Sequence, residues 1–267
     1  MGLEPQSAAR YAGHMLNLIE HGTPTDAPGL LIAHGLYGSA RNWGVIAKRL
    51  SDRRHVVAVD LRNHGSSPWF ETHSYADLAD DLAGVLDTLN GPYDILGHSM
   101  GGKAAMTLAL RQPDLVNRLI VADIAPVAYS HSQLPYLDAM QSLDLSGVEK
   151  RSDAAEALQD AVDDPSLVPF FLQSLDVPDK RWRLNLETLR REMPGIMGFP
   201  QIDARFTHPT LFLTGAKSDY VTQAHRPLIT SLFPKARFMR IPGAGHWLHA
   251  EKPREFEGTV RAWLDHA

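Results

Sequence analysis

The sequence predicts an α/β fold, a mostly parallel central sheet flanked by helices and interrupted by one inserted helical cap. Three observations carry this. Strand-length runs such as Gly29–Gly35, His55–Asp60 and Arg118–Asp123 are almost continuously apolar instead of alternating, as strands buried on both faces are. Segments with helical spacing lie between them in strict alternation, which implies a parallel sheet with helices on both faces. From about Val127 to Phe206 the alternation stops and only helical patterns remain, so this excursion reads as an insertion. The expected division is a core of residues 1–126 and 207–267 around a cap of residues 127–206.

Taken in order, residues 1–10 look frayed, and Met15–Glu20 reads as a short first strand closed by the turn at His21–Pro24. Gly29–Gly35 is the first buried strand. Asn42–Leu50 follows as a helix with Trp43, Ile46, Ala47 and Leu50 on one side. The basic cluster Arg49–Arg54 reads as the solvated end of that helix. His55–Asp60 is the next strand. Tyr75–Leu89 is an amphipathic helix with Leu78, Leu82, Val85, Leu86 and Leu89 on its apolar face, stopped by Asn90-Gly91-Pro92. The strand at Tyr93–Gly97 and the helix from Ala104 flank a glycine-bounded turn, and Arg118–Asp123 is the strand after them. Within the cap, helices are expected at Ser132–Leu143, Arg151–Val162, Leu167–Leu175 and Asn185–Glu192, with no strand. The sheet resumes at Pro209–Gly215, followed by a helix over about Gln223–Leu232, a strand at Arg237–Ile241 and a last helix from Pro253 to Leu264.

Composition removes several classes of function. A chain of 267 residues, 44% apolar, is large enough for one core with a lid. A formal charge of −5 and a pI near 6.2 speak against nucleic-acid or anionic-membrane partners. With no cysteine there is no disulfide, thiolate metal site or cysteine nucleophile. The N-terminus has neither the basic nor the apolar region of a secretory signal, and no apolar run reaches membrane-spanning length. The expectation is a cytoplasmic protein, monomeric or homodimeric.

Chemistry concentrates at Gly97-His98-Ser99-Met100-Gly101. A Gly-x-Ser-x-Gly pattern between a strand and a helix is the layout of a nucleophile elbow, which exposes the serine Oγ on a sharp turn. The strained positive φ is expected on Ser99 itself, and the following helix aims its first N–H groups at the same point. A serine needs a base, and the base needs an acid that holds its tautomer. In open α/β sheets such groups collect at the carboxyl ends of strands. His246, in the glycine-rich loop after the last strand, is the expected base; His249, three residues on, should point elsewhere. Two acids compete. The usual place, three residues after Gly215, is held by Ser218, and Asp219 falls one residue late. Asp123 ends the strand that follows the elbow helix and is preferred, with Ser218 as a neutral helper; a turn-capping role for Asp123 is the plain alternative. Oxyanion donors are expected at the N–H groups of Leu36 and Met100, with His34 bracing the loop.

Neither an H-E-x-x-H helix nor a phosphate-binding Gly-x-x-x-x-Gly-Lys-Ser/Thr loop is present, and no acidic cluster accompanies Arg62-Asn63-His64 or His246–His249, so neither metal nor cofactor is expected. Phe170-Phe171-Leu172 and Met193–Phe199 suit either an acyl pocket or the core of the cap.

From about Leu30 onward the chain resembles the α/β-hydrolase superfamily, and within it the YbfF-type bacterial esterases akin to the abhydrolase-domain 11 proteins. The stretches that carry the resemblance are His34–Ser39, Asp60–Pro68, Gly97–Lys103, Asp123–Val127 and Gly243–Pro253. It implies an α/β-hydrolase fold and a cofactor-free serine esterase acting on short- to medium-chain acyl esters. It also implies an acid at Asp123 with a serine at Ser218; Asp219, beside that serine, keeps the other placement open. A thioesterase or carbon–carbon hydrolase on the same scaffold, and a non-catalytic ligand receptor, are the competing readings.

Overall fold

The structure, a computed structural model, describes residues 16–162 and 164–266; the frayed segment expected at residues 1–10 and the first residue of the expected opening strand, Met15, lie outside these. The strands are β1 (Leu18–His21), β2 (Leu30–Ala33), β3 (Val56–Val59), β4 (Tyr93–His98), β5 (Val116–Ala122), β6 (Leu175–Asp176), β7 (Arg181–Trp182), β8 (Thr210–Gly215) and β9 (Ala236–Ile241). Seven of them form one sheet in the order β1-β3-β2-β4-β5-β8-β9, antiparallel only where β1 meets β3. The strand order reverses between β2 and β4, the place where open α/β sheets leave a crevice at their carboxyl ends.

The near-continuous apolar runs have their reason in the two layers they separate. Successive residues of β2 and β5 point to opposite sides: Leu31, Ala33, Leu119 and Val121 to one core, Leu30, Ile32, Ile120 and Ala122 to the other. The first core is closed by α2 (Tyr75–Thr88) and α3 (Met100–Arg111). The second is closed by α1 (Gly44–Leu50) and by the terminal pair α9 (Leu248–Glu251) and α10 (Pro253–His266). α2 starts where Ser74 Oγ accepts the Asp77 N–H while Asp77 reaches back to the Ser74 N–H, a reciprocal cap.

Between β5 and β8 lie α4 (Leu134–Ser142), α5 (Arg151–Ala161), α6 (Val168–Leu172) and α7 (Leu186–Met197); α8 (Arg226–Leu232) follows β8. The excursion is not purely helical as expected. β6 and β7 make a short antiparallel ladder, Leu175 opposite Trp182, too brief to leave an alternating signature. α7 also runs past Glu192 to Met197 with Pro194 inside it. Asn185 caps its start by accepting the Thr188 N–H.

One expectation is corrected outright. Arg54 is not solvated: its side chain is 5% exposed and pairs with Asp94 at 3.2 Å and Asp265 at 3.2 Å. Asp94, at the start of β4 and fully buried, also accepts two 2.9 Å bonds from Arg118. A carboxylate that far from water needs its charge offset, and the two guanidiniums do so.

Candidate active site

β4 ends at His98 and α3 begins at Met100, so Ser99 alone makes the turn, at φ 51°. Its N–H donates to Ala122 O (3.0 Å) and its carbonyl accepts the Lys103 N–H (3.0 Å), which hold the strained conformation from both sides. The turn is too tight for side chains at its flanks. A Cβ on Gly97 would sit 2.3 Å from Gly101 O, and one on Gly101 would sit 2.4 Å from the carbonyl oxygens of Ala33 and His34.

Register brings the other groups to this point. His98 pairs with Ala122 and Ala122 with Leu213, so Ser99 and Asp123 leave the sheet side by side, next to the end of β8. Asp123 is also left-handed, at φ 53°, which turns its carboxylate over the strand ends. The loop after β9 comes back across β8 and places His246 between them. His246 Nδ1 lies 2.8 Å from Asp123 Oδ2, and Nε2 lies 3.1 Å from Ser99 Oγ. A carboxylate only accepts, so Nδ1 carries the proton and Nε2 faces the Ser99 hydroxyl as an acceptor.

Asp123 is fully buried, and three donors meet its oxygens: Gly215 N–H at 3.0 Å on Oδ1, and His246 Nδ1–H and the Ser218 hydroxyl on Oδ2. Asp219 is exposed and makes no hydrogen bond or ion pair among the described residues. The one-residue offset directs Ser218 towards Asp123 and Asp219 away from it.

The loops that meet here are braced by side chains that the sequence reading did not single out. His98, the variable residue of the elbow, donates from Nε2 to the His246 carbonyl at 2.9 Å. Burial among His249 and His246 pushes its pKa well below the usual histidine range, so it acts as a neutral brace. Glu251 accepts the Gly245 N–H at 2.8 Å and the Trp247 N–H at 3.2 Å, clasping the loop on either side of His246. His249 is buried and stacked flat on Trp43 at 4.3 Å. Only proximity in the fold marks these roles of His98 and Glu251; in the sequence each is one polar residue within a longer motif.

The loop after β2 carries Leu36. His34 accepts the Leu61 N–H at Nε2 (3.0 Å) and donates from Nδ1 to Gly35 O (2.8 Å). His64 does the same one step on, accepting the Tyr37 N–H at 3.2 Å and donating to Arg62 O at 2.9 Å. Asp60 ties this loop to the next by accepting from Ala40 N–H (2.7 Å) and Ser66 N–H (2.8 Å). Leu36 makes no hydrogen bond through its N–H among the described residues, and the Met100 N–H, first in α3, has no intrahelical partner.

A cavity of about 360 Å³ opens on Ser99 and His246. Leu36, Met100 and Ile124 line it from the sheet side, Leu167, Phe171 and Ile196 from the excursion. Lys103 sits in its wall, 2% exposed, donating to the carbonyls of Met197 (2.9 Å), the last residue of α7, and of Gly198 just after it (2.5 Å). Burial pulls this lysine down to about 7. Among the described residues no cluster of histidine and acid side chains is placed to hold a metal, and no helix is long and apolar enough to cross a membrane.

A doubly flanked, mostly parallel sheet with a serine, a histidine and an aspartate in hydrogen-bonded sequence at its strand ends defines a hydrolase of the α/β class. The model of the Alpha/beta hydrolase family matches residues 30–259, and the chain belongs to that family. It is 40% identical over 89% of its length to the sn-1-specific diacylglycerol lipase ABHD11 of Mus musculus, covering 81% of that protein. It is 36% identical over 88% of its length to esterase YbfF of Escherichia coli K12, covering 92% of it. Among solved structures a marine microorganism esterase superposes with a TM-score of 0.87 at 38% identity, over 92% of this chain and 98% of that one. With this fold and these relatives, the protein is a carboxylic ester hydrolase.

Proposed function

We propose that the protein is a serine carboxylesterase that hydrolyses short- to medium-chain acyl esters through an acyl-enzyme on Ser99. Ser99 Oγ attacks the ester carbonyl while His246 Nε2 takes its proton. Asp123 holds the Nδ1–H tautomer and stabilises the imidazolium that forms. The N–H groups of Leu36 and Met100 bind the developing oxyanion. His246 then gives the proton to the leaving alcohol, and on deacylation serves as base for water. Ser218 supports Asp123, and residues 127–206 act as a cap over the acyl pocket. No step calls for a cofactor or metal.

The observation that carries this reading is the unbroken series Ser99 Oγ, His246, Asp123, at 3.1 and 2.8 Å, opening on a cavity with a largely carbon wall. The tyrosines in the cavity wall spend their hydroxyls elsewhere: Tyr75 on Ile196 O (2.6 Å), Tyr37 on Gln133 O (2.8 Å), Tyr129 on Tyr220 O (2.7 Å). Their rings add carbon surface to the wall beside Leu36, Leu167 and Ile196, which suits an acyl chain. The volume of about 360 Å³ leaves room for an acyl chain of this size. We further infer a cytoplasmic monomer or homodimer, checked by cell fractionation and sedimentation.

The test is turnover of p-nitrophenyl butyrate. Ser99→Ala and His246→Ala should each lower kcat by about 10⁵- to 10⁶-fold, because the groups act as a unit. A fluorophosphonate should label Ser99 in the folded wild type. Wild-type turnover by Ser99→Ala would overturn the mechanism.

A further inference from the structure

Tyr220 is part of no motif, yet it touches His246, Ser218 and the start of the cap. Its ring lies nearly parallel to the His246 imidazole, centroids 3.9 Å apart and planes 19° off. Its N–H donates to Ser218 Oγ at 3.3 Å, and Ser218 in turn donates to the Asp123 oxygen that receives His246. Its carbonyl accepts the Tyr129 hydroxyl, which itself accepts the Ala125 N–H at 2.9 Å. Its own hydroxyl lies 2.8 Å from His131 Nε2 and 3.5 Å from Gln133 Nε2, both at the start of the cap. The ring is therefore held at both backbone ends and at its tip.

We propose that Tyr220 is a positioning residue for His246: its ring face keeps the imidazole in the plane that joins Asp123 to Ser99 and stabilises the imidazolium formed as Ser99 loses its proton, while its hydroxyl ties that wall to the cap. The proposal rests on His246 being the base. An aromatic face attracts a cation placed over it more than a neutral ring, so the contact strengthens as the proton arrives. It is a differential interaction of the kind that accelerates a chemical step. Among the described residues no other ring lies flat on His246. From β4 and α9 come His98 and His249, both kept neutral by burial, and from β5 the Asp123 carboxylate. Trp247 meets the imidazole edge-on at 5.5 Å, Glu251 is engaged with the loop backbone, and His131 and Lys103 lie beyond Tyr220 and across the cavity. The cap enters through the same residue. Any shift of His131 and Gln133 moves the tip of the ring that lies on the base.

The experiment is the pH profile of kcat/KM for p-nitrophenyl butyrate in the full chain, for wild type, Tyr220→Phe, Tyr220→Leu and Tyr220→Met, with folding checked by thermal melting. Losing the ring face removes stabilisation of the charged imidazole, so the acidic limb should move to lower pH by about half a unit to one unit in the Leu and Met variants. Their plateau kcat should also fall by roughly 10-fold, because the imidazole is less well oriented. Tyr220→Phe keeps the face and should restore the wild-type limb. A folded Leu or Met variant whose limb coincides with wild type overturns the proposal, as does a Phe variant displaced as far as they are. His246→Ala run alongside separates the two levels: if it keeps wild-type turnover, the assignment of the base fails, whatever Tyr220 does.

Discussion

Replacing Asp123 by asparagine changes one atom and leaves the volume alone, so its consequence can be worked out closely. Oδ1 must remain an oxygen to accept the Gly215 N–H at 3.0 Å, which puts the new NH2 group where Oδ2 stood, against His246 Nδ1 and the Ser218 hydroxyl. Two donors then face each other at 2.8 Å unless the imidazole carries its proton on Nε2 instead. In that tautomer Nε2 points a hydrogen at Ser99 Oγ and no longer accepts one. The imidazolium also loses a carboxylate about 4 Å away. At an effective dielectric near 20 this is worth about 4 kcal/mol, on the order of a thousandfold in rate. Together the two effects predict a fall in kcat of about 10⁴-fold. Because the substitution is isosteric, the Gly215 contact persists and the Ser218 hydroxyl can turn to accept from the new NH2 group, thermal stability should change little. The assay is p-nitrophenyl butyrate hydrolysis by Asp123→Asn and Asp219→Asn at one pH, with melting temperatures measured alongside. Retention of more than about a tenth of wild-type kcat by a folded Asp123→Asn, or a collapse confined to Asp219→Asn, would refute the reasoning.

Three further outcomes follow from the same structure. Lys103 is held down to about 7 in the folded chain from an ordinary 10.5, so over that window the unfolded chain binds more protons and stability should rise with pH. Urea titrations between about pH 7.5 and pH 9.5 should show wild type gaining on Lys103→Met by up to about 1.4 kcal/mol per pH unit; parallel slopes would contradict the burial argument. Asp94→Ala leaves the Arg54 and Arg118 guanidiniums buried without their shared carboxylate, and should cost about 3–5 kcal/mol in denaturant unfolding; a loss below about 1 kcal/mol would show water reaching that cluster. Phe171→Leu opens the cap side of the cavity, and should raise kcat/KM for p-nitrophenyl octanoate relative to butyrate by about tenfold. An unchanged ratio would place the acyl chain elsewhere.

Much of this fold is legible in the chain because its signals are local. The runs at Leu30–Ala33 and Val56–Val59 are apolar at every position because both faces of these strands are covered. The elbow is legible for the same reason: two glycines around one serine answer a steric problem confined to five residues. The β6–β7 ladder is not legible in the chain because two-residue strands carry no period to detect. Nor is the burial of Arg54, because its partners, Asp94 and Asp265, lie 40 and 211 residues away.

The choice between the two candidate acids shows where sequence reasoning stops. Asp123 and Asp219 are each one carboxylate near the end of a strand, and their order along the chain separates them only by habit of position. What distinguishes them is the parallel register of β4, β5 and β8, which sets Asp123 beside Ser99 and turns Asp219 outward into solvent. Tyr220 and His98 are further cases, recognisable only once residues more than twenty positions apart share one loop cluster. The alternation of elements, the strained serine and the roster of groups at strand ends are written in the chain, since these follow from local sterics and from which residues avoid water. The tertiary structure decided which of those groups meet, at what distance, and against which ring, because sheet register and loop return bring together residues separated by well over a hundred positions in the chain.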